Sequence, residues 1–203
     1  MGSELHQELL GKFSEAGFRV LEVVGTRDDL APVLVARYVT QLHQDDGRRD
    51  VIIDHAESDL HSKINEEWEK VAWECGLFSM TRDGRPEFLI GVDVAVDMPD
   101  ESEFKAYRWV RVSLSDGWDV AGVGCESGIL GSGRNNPTFV MMSVSGDVVM
   151  VAGYWQIGIG FAVASHPERI PMLREHAKRI ASYEHIETAQ RHWAERWMRN
   201  VSS

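Results

Sequence analysis

The chain has few cysteines, which excludes the small proteins that depend on disulfides or cysteine-bound zinc. Cys75 and Cys125 are the only two in 203 residues, and neither belongs to a CxxC pair. Two isolated cysteines provide neither a disulfide framework nor a cysteine cluster for zinc. The fold must therefore depend on a hydrophobic core, and a chain of this length buries roughly 70% of its surface on folding.

Long apolar runs and targeting segments are also lacking. The N-terminus has no basic region followed by an apolar stretch, as a signal peptide requires. The least polar run, residues 148–164, is short for a membrane helix and is interrupted by Gly153, Gln156 and Gly158. We therefore expect no membrane association and a cytoplasmic location.

An excess of positive charge is absent as well. The net charge is −11, and residues 1–104 carry 10 Lys and Arg against 23 Asp and Glu. Residues 105–203 carry 11 against 9. Binding to nucleic acid needs a cationic surface, so the composition argues against a nucleic-acid partner. The acidic half favours high solubility or a protein partner with a basic surface.

No spacing diagnostic of a cofactor is present. The glycine-rich stretch Gly122–Gly133 has the spacing GxGxxxG and is followed by Arg-Asn-Asn-Pro, whereas a dinucleotide motif opens a helix. We interpret it as a loop and predict no cofactor. Cys125 has no identifiable base nearby, which argues against a catalytic nucleophile. Because Cys125 lies in this glycine loop and Cys75 on an apolar helical stripe, we expect Cys125 to be more accessible and Cys75 to be buried.

Alternating apolar and polar residues predict antiparallel β-structure through the middle of the chain. Residues 88–97 and 109–114 alternate strictly, and Asp-Gly and Gly-Asp pairs mark turns between such runs. Phe18–Val24 forms an earlier strand. We interpret Val33–Leu42 as a further strand because of its β-branched residues, paired through Asp46-Gly47 with residues 51–53, and a helix is the alternative.

Helical periodicity appears at both ends and in the centre of the chain. We predict a first helix that ends near Gly17, a central helix over about 54–75, and two C-terminal helices. The fold class is therefore α+β, with these helices packed on a mostly antiparallel sheet of seven to nine strands. Residues 1–203 form a single domain, with 1–97 and 104–203 as possible sub-units.

Three potential metal ligands lie at the start of the predicted central helix. Asp54, Glu57 and His61 share one helical face at spacings of three and seven residues. The same Asp-x-x-Glu spacing is typical of a capping box, in which both carboxylates bind backbone amides. We prefer capping, with Asp54 as the N-cap, and predict no metal site.

An aromatic strand face provides the candidate binding surface. Tyr107, Trp109 and Arg111 alternate with valines, and Asp93 and Asp97 lie on a neighbouring strand. Tyr, Trp and Arg are enriched at binding hot spots. The alternative is that C-terminal helices cover this face. The leading prediction is a non-enzymatic protein-binding module of inhibitor, immunity or adaptor type, and homo-oligomers are possible.

A glycine-bearing strand face supports the alternative function. Within Trp155–Ala164 the large side chains alternate with Gly158, Gly160 and Ala162, which leaves a bare face for a helix or a flat ligand. Together with Gly122–Arg134 it would wall a pocket. The alternative prediction is therefore a small-molecule-binding protein or a hydrolase.

Overall fold

The structure is a computed structural model that describes residues 2–96 and 104–200, and the side chains of residues 7–93 and 107–200. Five α-helices and eight strands follow in the described residues: α1 Gly2–Glu15, β1 Phe18–Val24, α2 Val33–Ala36, β2 Arg48–Ile53, α3 Leu60–Cys75, β3 Ser79–Met80, β4 Pro86–Val96, β5 Phe104–Leu114, β6 Val140–Met142, β7 Val148–Trp155, β8 Gly158–Ser165, α4 Pro171–Ser182 and α5 Thr188–Asn200. Short 3₁₀ segments cover Arg37–Gln41, Gln44–Asp46 and Pro167–Arg169, and Val120–Gly124 is a π-helix.

All strands belong to one antiparallel sheet. Their order is β1-β5-β4-β6-β7-β8-β2, and β3 pairs with β4 at the side of this path. The sheet, the N-terminal helix and the two C-terminal helices confirm the predicted α+β class. None of the helices in the described part of the chain is long and apolar enough to cross a membrane.

Side-chain alternation along the strands produces a separate core on each face of the sheet. On one face, Phe88, Val110 and Val112 pack with α1, α3 and the π-helix. On the other, residues such as Leu89 and Trp109 pack with α2, α4 and α5. Because neighbouring residues of a strand point to opposite faces, both sides of the central strands are covered by helices.

The prediction of a strand at Val33–Leu42 is wrong. Val33–Ala36 is helical and the chain continues as a 3₁₀ helix to Gln41. Pro32 precedes the first turn, and its carbonyl accepts hydrogen bonds from the amides of Val35 and Ala36, each at 2.9 Å. The β-branched side chains are buried against the sheet, so tertiary packing outweighs their strand propensity. The strand β2 pairs with β8 instead.

The central helix α3 begins at Leu60, later than the start near Asp54 that the sequence predicted. Its N-cap is Asp59, whose Oδ1 accepts a hydrogen bond from the amide of Ser62 at 3.3 Å. Asp54 is therefore not the cap, and the predicted capping box with Glu57 is wrong. The Asp54 carboxylate accepts instead from the amide of Ala56 at 2.8 Å, which stabilises a turn between β2 and α3.

Candidate functional site

The sheet opens into a cleft because β6 is only three residues long. Of β4, only Leu89 and Ile90 pair with β6, which pairs on its other side with residues 149–151 of β7. Beyond these pairs, no described strand lies between the end of β4 and the end of β7. Thr138 and Phe139, which lead into β6, close the base of the opening.

The cleft has two lobes that meet at Arg37 and Thr138. The wide lobe has a volume of about 710 Å³ and the narrow lobe about 290 Å³. The wide lobe is lined by Arg37, Thr40, Gln41, Arg48, Thr138, Phe139, Val151, Ala152, Gly153 and Trp155. The narrow lobe is lined by Leu9, Lys12, Arg37, Gly91, Val92, Asp93, Ser127, Gly128, Ile129, Gly131 and Thr138.

Gly91 lies on β4 immediately after its last pair with β6. A Cβ atom there would come within 2.6 Å of Val140 and 2.8 Å of Val33, so only glycine lets α2 and β6 pack this closely on the strand. This close approach fixes α2 beside the opening. The 3₁₀ segment that follows α2 then carries Arg37 to the junction of the two lobes.

Arg37 differs from the other cations of the cleft because it has no anionic partner among the residues that the structure describes. Its guanidinium carbon lies 4.6 Å from the centroid of the Tyr107 ring, a cation–π contact. Within the described residues, its side chain forms no ion pair and no hydrogen bond. By contrast, Arg48 binds Asp50 at 2.8 Å and Lys12 binds Glu8 at 2.6 Å.

Trp155 forms an aromatic wall of the wide lobe. Gly153 and Gly160 pair across β7 and β8. A Cβ atom at Gly160 would lie 2.5 Å from Cη2 of Trp155 and closer still to two other ring carbons, so the indole covers this glycine. The bare strand face predicted from the sequence is therefore filled by Trp155 itself. Gly158–Ala162 does not line the cleft.

The segment that walls the narrow lobe is anchored by Asp119. Its carboxylate accepts hydrogen bonds from Asn65 Nδ2 and Gly122 N, both at 2.9 Å, and from Val123 N at 3.1 Å. Burial raises the pKa of Asp119, but these hydrogen bonds outweigh it and hold the pKa below its usual value. The Gly122–Gly133 stretch therefore begins in an anchored π-helix and is not an irregular loop throughout.

The potential metal ligands do not converge on one point. Asp54 is engaged in its own turn, whereas His61 Nε2 lies 3.3 Å from Asp119 Oδ1, on the other side of the start of α3. Glu57 is exposed in the same turn region as Asp54. Across residues 2–96 and 104–200, no group of three or more His, Cys, Asp or Glu side chains is placed to hold a metal ion.

Trp109 is not part of an accessible binding face, contrary to the leading sequence prediction. Its side chain is fully buried, and its indole Nε1 donates a hydrogen bond to the carbonyl of Ala31 at 2.9 Å. It belongs to the core beneath α2, α4 and α5 together with Trp193. The predicted alternative, in which C-terminal helices cover this strand face, is the arrangement found.

The other predicted binding residues are separated. Tyr107 and Asp93 face each other across β5 and β4 at the cleft, where Tyr107 supports Arg37 and Asp93 lines the narrow lobe. Arg111 lies further along β5, and its guanidinium makes a bidentate ion pair with the buried Glu87 at 2.7–3.0 Å. Asp97 lies outside the described residues. A protein partner for the acidic half stays a prediction.

The two cysteines have the opposite accessibility to that predicted. Cys125 is fully buried, and its thiol donates to the carbonyl of Val120 at 3.0 Å, while Cys75 is partly exposed. Burial raises the pKa of Cys125 to about 12. A thiol with this pKa is protonated at neutral pH, so Cys125 lacks the reactive thiolate that a nucleophile needs.

The sequence reasoning missed Arg37, Thr138 and the role of Trp155. Arg37 was hidden because its segment was interpreted as a strand. Trp155 did have a signal, since glycines two residues before it and five residues after it leave room for a large ring. No protein family model, curated protein or solved structure matches this chain.

Proposed function

We propose that this protein binds a small anionic molecule in the cleft between β4 and β7. The observation that carries the proposal is the Arg37 guanidinium, which stands at the junction of the two lobes without a carboxylate partner among the described residues. A planar guanidinium presents several N–H donors in a fixed arrangement, and carboxylates and phosphates match that arrangement.

The charge of the rest of the molecule strengthens this proposal. The chain has a net charge of −11, so most cationic side chains have an acidic neighbour available. Arg48 and Lys12 use such neighbours within the same cleft. Arg37 is held instead by the face of an aromatic ring, which leaves its N–H groups available to an incoming anion.

Neutral hydrogen-bonding groups line the wide lobe beside Arg37. Thr138 lines both lobes with Arg37, and Thr40 and Gln41 line the wide lobe one turn beyond it. Hydroxyl and amide groups bind anions without adding charge, and such groups fix the orientation of ligands in small-molecule sites. The cleft thus combines neutral polar groups and an aromatic wall with three cations, of which Arg48 and Lys12 already bind acidic residues, and Asp93 adds a carboxylate to the narrow lobe.

The proposal is tested by thermal unfolding of the protein with a panel of small carboxylates and phosphates. A bound anion should raise Tm with increasing concentration, by mass action. Arg37→Gln should remove the increase. Arg82→Gln is the matched control, because Arg82 is an exposed arginine in the β3–β4 turn, away from the cleft.

Two outcomes would contradict the proposal. One is an equal increase of Tm in wild type, Arg37→Gln and Arg82→Gln, which would place anion binding elsewhere. The other is the absence of any increase at millimolar concentrations across the whole panel. Raising the ionic strength should weaken the effect, because Arg37 is an exposed charge that salt screens.

A further inference from the structure

We infer that the anion accepted by the cleft carries a planar aromatic ring, which packs against the Trp155 indole while the acidic group binds Arg37. This inference rests on the proposed function and adds the chemical class of the ligand. It depends on how Trp155 is presented and on the apolar surface beside it.

Trp155 is held as a flat wall by the strands beneath it. One face of its ring lies against the backbone at Gly160, and Gly153 supports the indole edge, with Nε1 3.2 Å from where its Cβ would stand. The ring cannot turn into the sheet, because the strand fills that side. An aromatic side chain fixed in this way offers a stacking surface without the entropy cost of ordering a mobile ring.

Arg48 also contacts the same ring. Its guanidinium carbon lies over the Trp155 ring at 5.9 Å from the centroid, within the range of a cation–π contact, so a ligand ring would pack on the part of the indole beside Arg48. Arg48 is held at that distance by Asp50 and by the carbonyl of Thr40, to which its Nη1 donates at 2.6 Å. Because the N–H groups of Arg48 already donate to Asp50 and Thr40, Arg48 lines the lobe and Arg37 is the cation that binds the anion.

The lining of the wide lobe includes apolar residues as well as polar ones. Phe139, Val151 and Ala152 line this lobe together with Trp155. An aromatic acid would remove apolar area from water chiefly at the partly exposed Trp155 indole, because Phe139, Val151 and Ala152 are already at least 95% buried. The volume of about 710 Å³ is ample for a bicyclic ring.

Isothermal titration calorimetry with four probes tests this inference. 2-Naphthoate and 2-naphthyl phosphate carry a bicyclic ring with a carboxylate or a phosphate, and acetate and inorganic phosphate carry the acid alone. We expect both naphthyl probes to bind at least about tenfold more tightly than the matching acid without a ring, from stacking and burial together. The stronger of the two naphthyl probes identifies the acid.

Two variants separate the contribution of the ring from that of the charge. Trp155→Leu should remove most of the preference for naphthyl probes while acetate and inorganic phosphate bind as before. Arg37→Gln should weaken all four probes. Trp155→Phe keeps a smaller ring over Gly160 and should retain part of the preference for naphthyl probes. This variant still tests the contribution of the ring if Trp155→Leu does not fold.

The outcomes distinguish this inference from the function on which it rests. If acetate and inorganic phosphate bind as tightly as the naphthyl probes and depend on Arg37, the cleft binds anions and the aromatic inference is overturned. If the naphthyl preference survives Trp155→Leu in a folded protein, Trp155 is not the stacking surface and the inference also fails. If none of the four probes binds, both proposals fail.

Discussion

A methyl group added at Gly160 tests whether Trp155 is locked over the β7–β8 hairpin. In Gly160→Ala the new carbon would lie 2.5 Å or less from ring carbons of Trp155, well inside the contact distance of about 3.5 Å, so the indole must leave its position. Gly160 has no left-handed backbone conformation, and the strand itself accepts alanine. The ring is thus the obstacle.

The expected magnitude follows from two opposing effects. A fully buried aromatic side chain removes 150–250 Å² from water, and Trp155 is partly buried, so its displacement exposes about 100 Å², or about 2.5 kcal/mol at 25 cal/mol/Å². Replacing glycine by alanine within a strand gains about 0.5–1 kcal/mol because glycine loses more freedom on folding. Gly160→Ala should therefore cost about 1.5–2 kcal/mol.

Urea unfolding of a double-mutant cycle provides the assay. In a Trp155→Ala background no ring stands over residue 160, so Gly160→Ala should be neutral or stabilising by up to about 1 kcal/mol. The coupling between the two positions should reach about 2 kcal/mol. Gly25→Ala is the matched control, because a Cβ atom there meets nothing within 4 Å. Equal effects of Gly160→Ala in both backgrounds would refute the packing of Trp155 on Gly160.

Three further predictions concern the core, the thiols and the π-helix. Trp109→Ala should lower the free energy of unfolding by about 3–5 kcal/mol. Trp73→Ala removes a side chain that is 47% exposed and should lower it far less. Comparable urea midpoints for the two variants would contradict the buried position of Trp109. A thiol reagent should modify Cys75 in the native protein and reach Cys125 only on unfolding, as mass spectrometry would show, and early modification of Cys125 would be inconsistent with its burial and raised pKa. The lowered pKa of Asp119 gives stability that is present above the unfolded pKa of about 3.9 and is lost as pH falls through the folded pKa. Asp119→Asn should therefore lose this part of the acid dependence of the free energy of unfolding, measured from pH 5 to pH 2. Parallel pH dependences for the variant and wild type would argue against this role of Asp119.

Strands and long helices could be predicted because their periodicity is local. Phe18–Val24 was predicted with its observed bounds, and the apolar stripe that ends at Cys75 identified α3. The start of that helix was misplaced because Asp54 and Asp59 both precede it and both have a side chain able to bind a nearby amide. Only the path of the chain from β2 decides which of them becomes the N-cap.

The site could not be predicted because its parts meet only through the topology of the sheet. Arg37 and Tyr107 are 70 positions apart in the chain, and nothing local to either residue indicates their contact. Val33–Val39 has the composition of a strand, and its helical conformation follows from packing against the sheet beside Gly91. The opening itself results from where β6 stops, and neither hydropathy nor turn residues mark that point.

The shortness of β6 also determines the mechanics of the sheet. The half that contains β1, β5 and β4 is joined to the half that contains β7, β8 and β2 through only two residues of β4. Fewer backbone hydrogen bonds cross the sheet here than between β4 and β5 or between β7 and β8, and the cores on the two faces hold the halves together across this seam. Arg37 contacts Tyr107 of β5 from a 3₁₀ segment that packs on β7 and β8, so a molecule held between Arg37 and Trp155 would lie beside this seam. Binding of such a molecule should slow amide hydrogen exchange along β6, including at amides that the molecule does not contact.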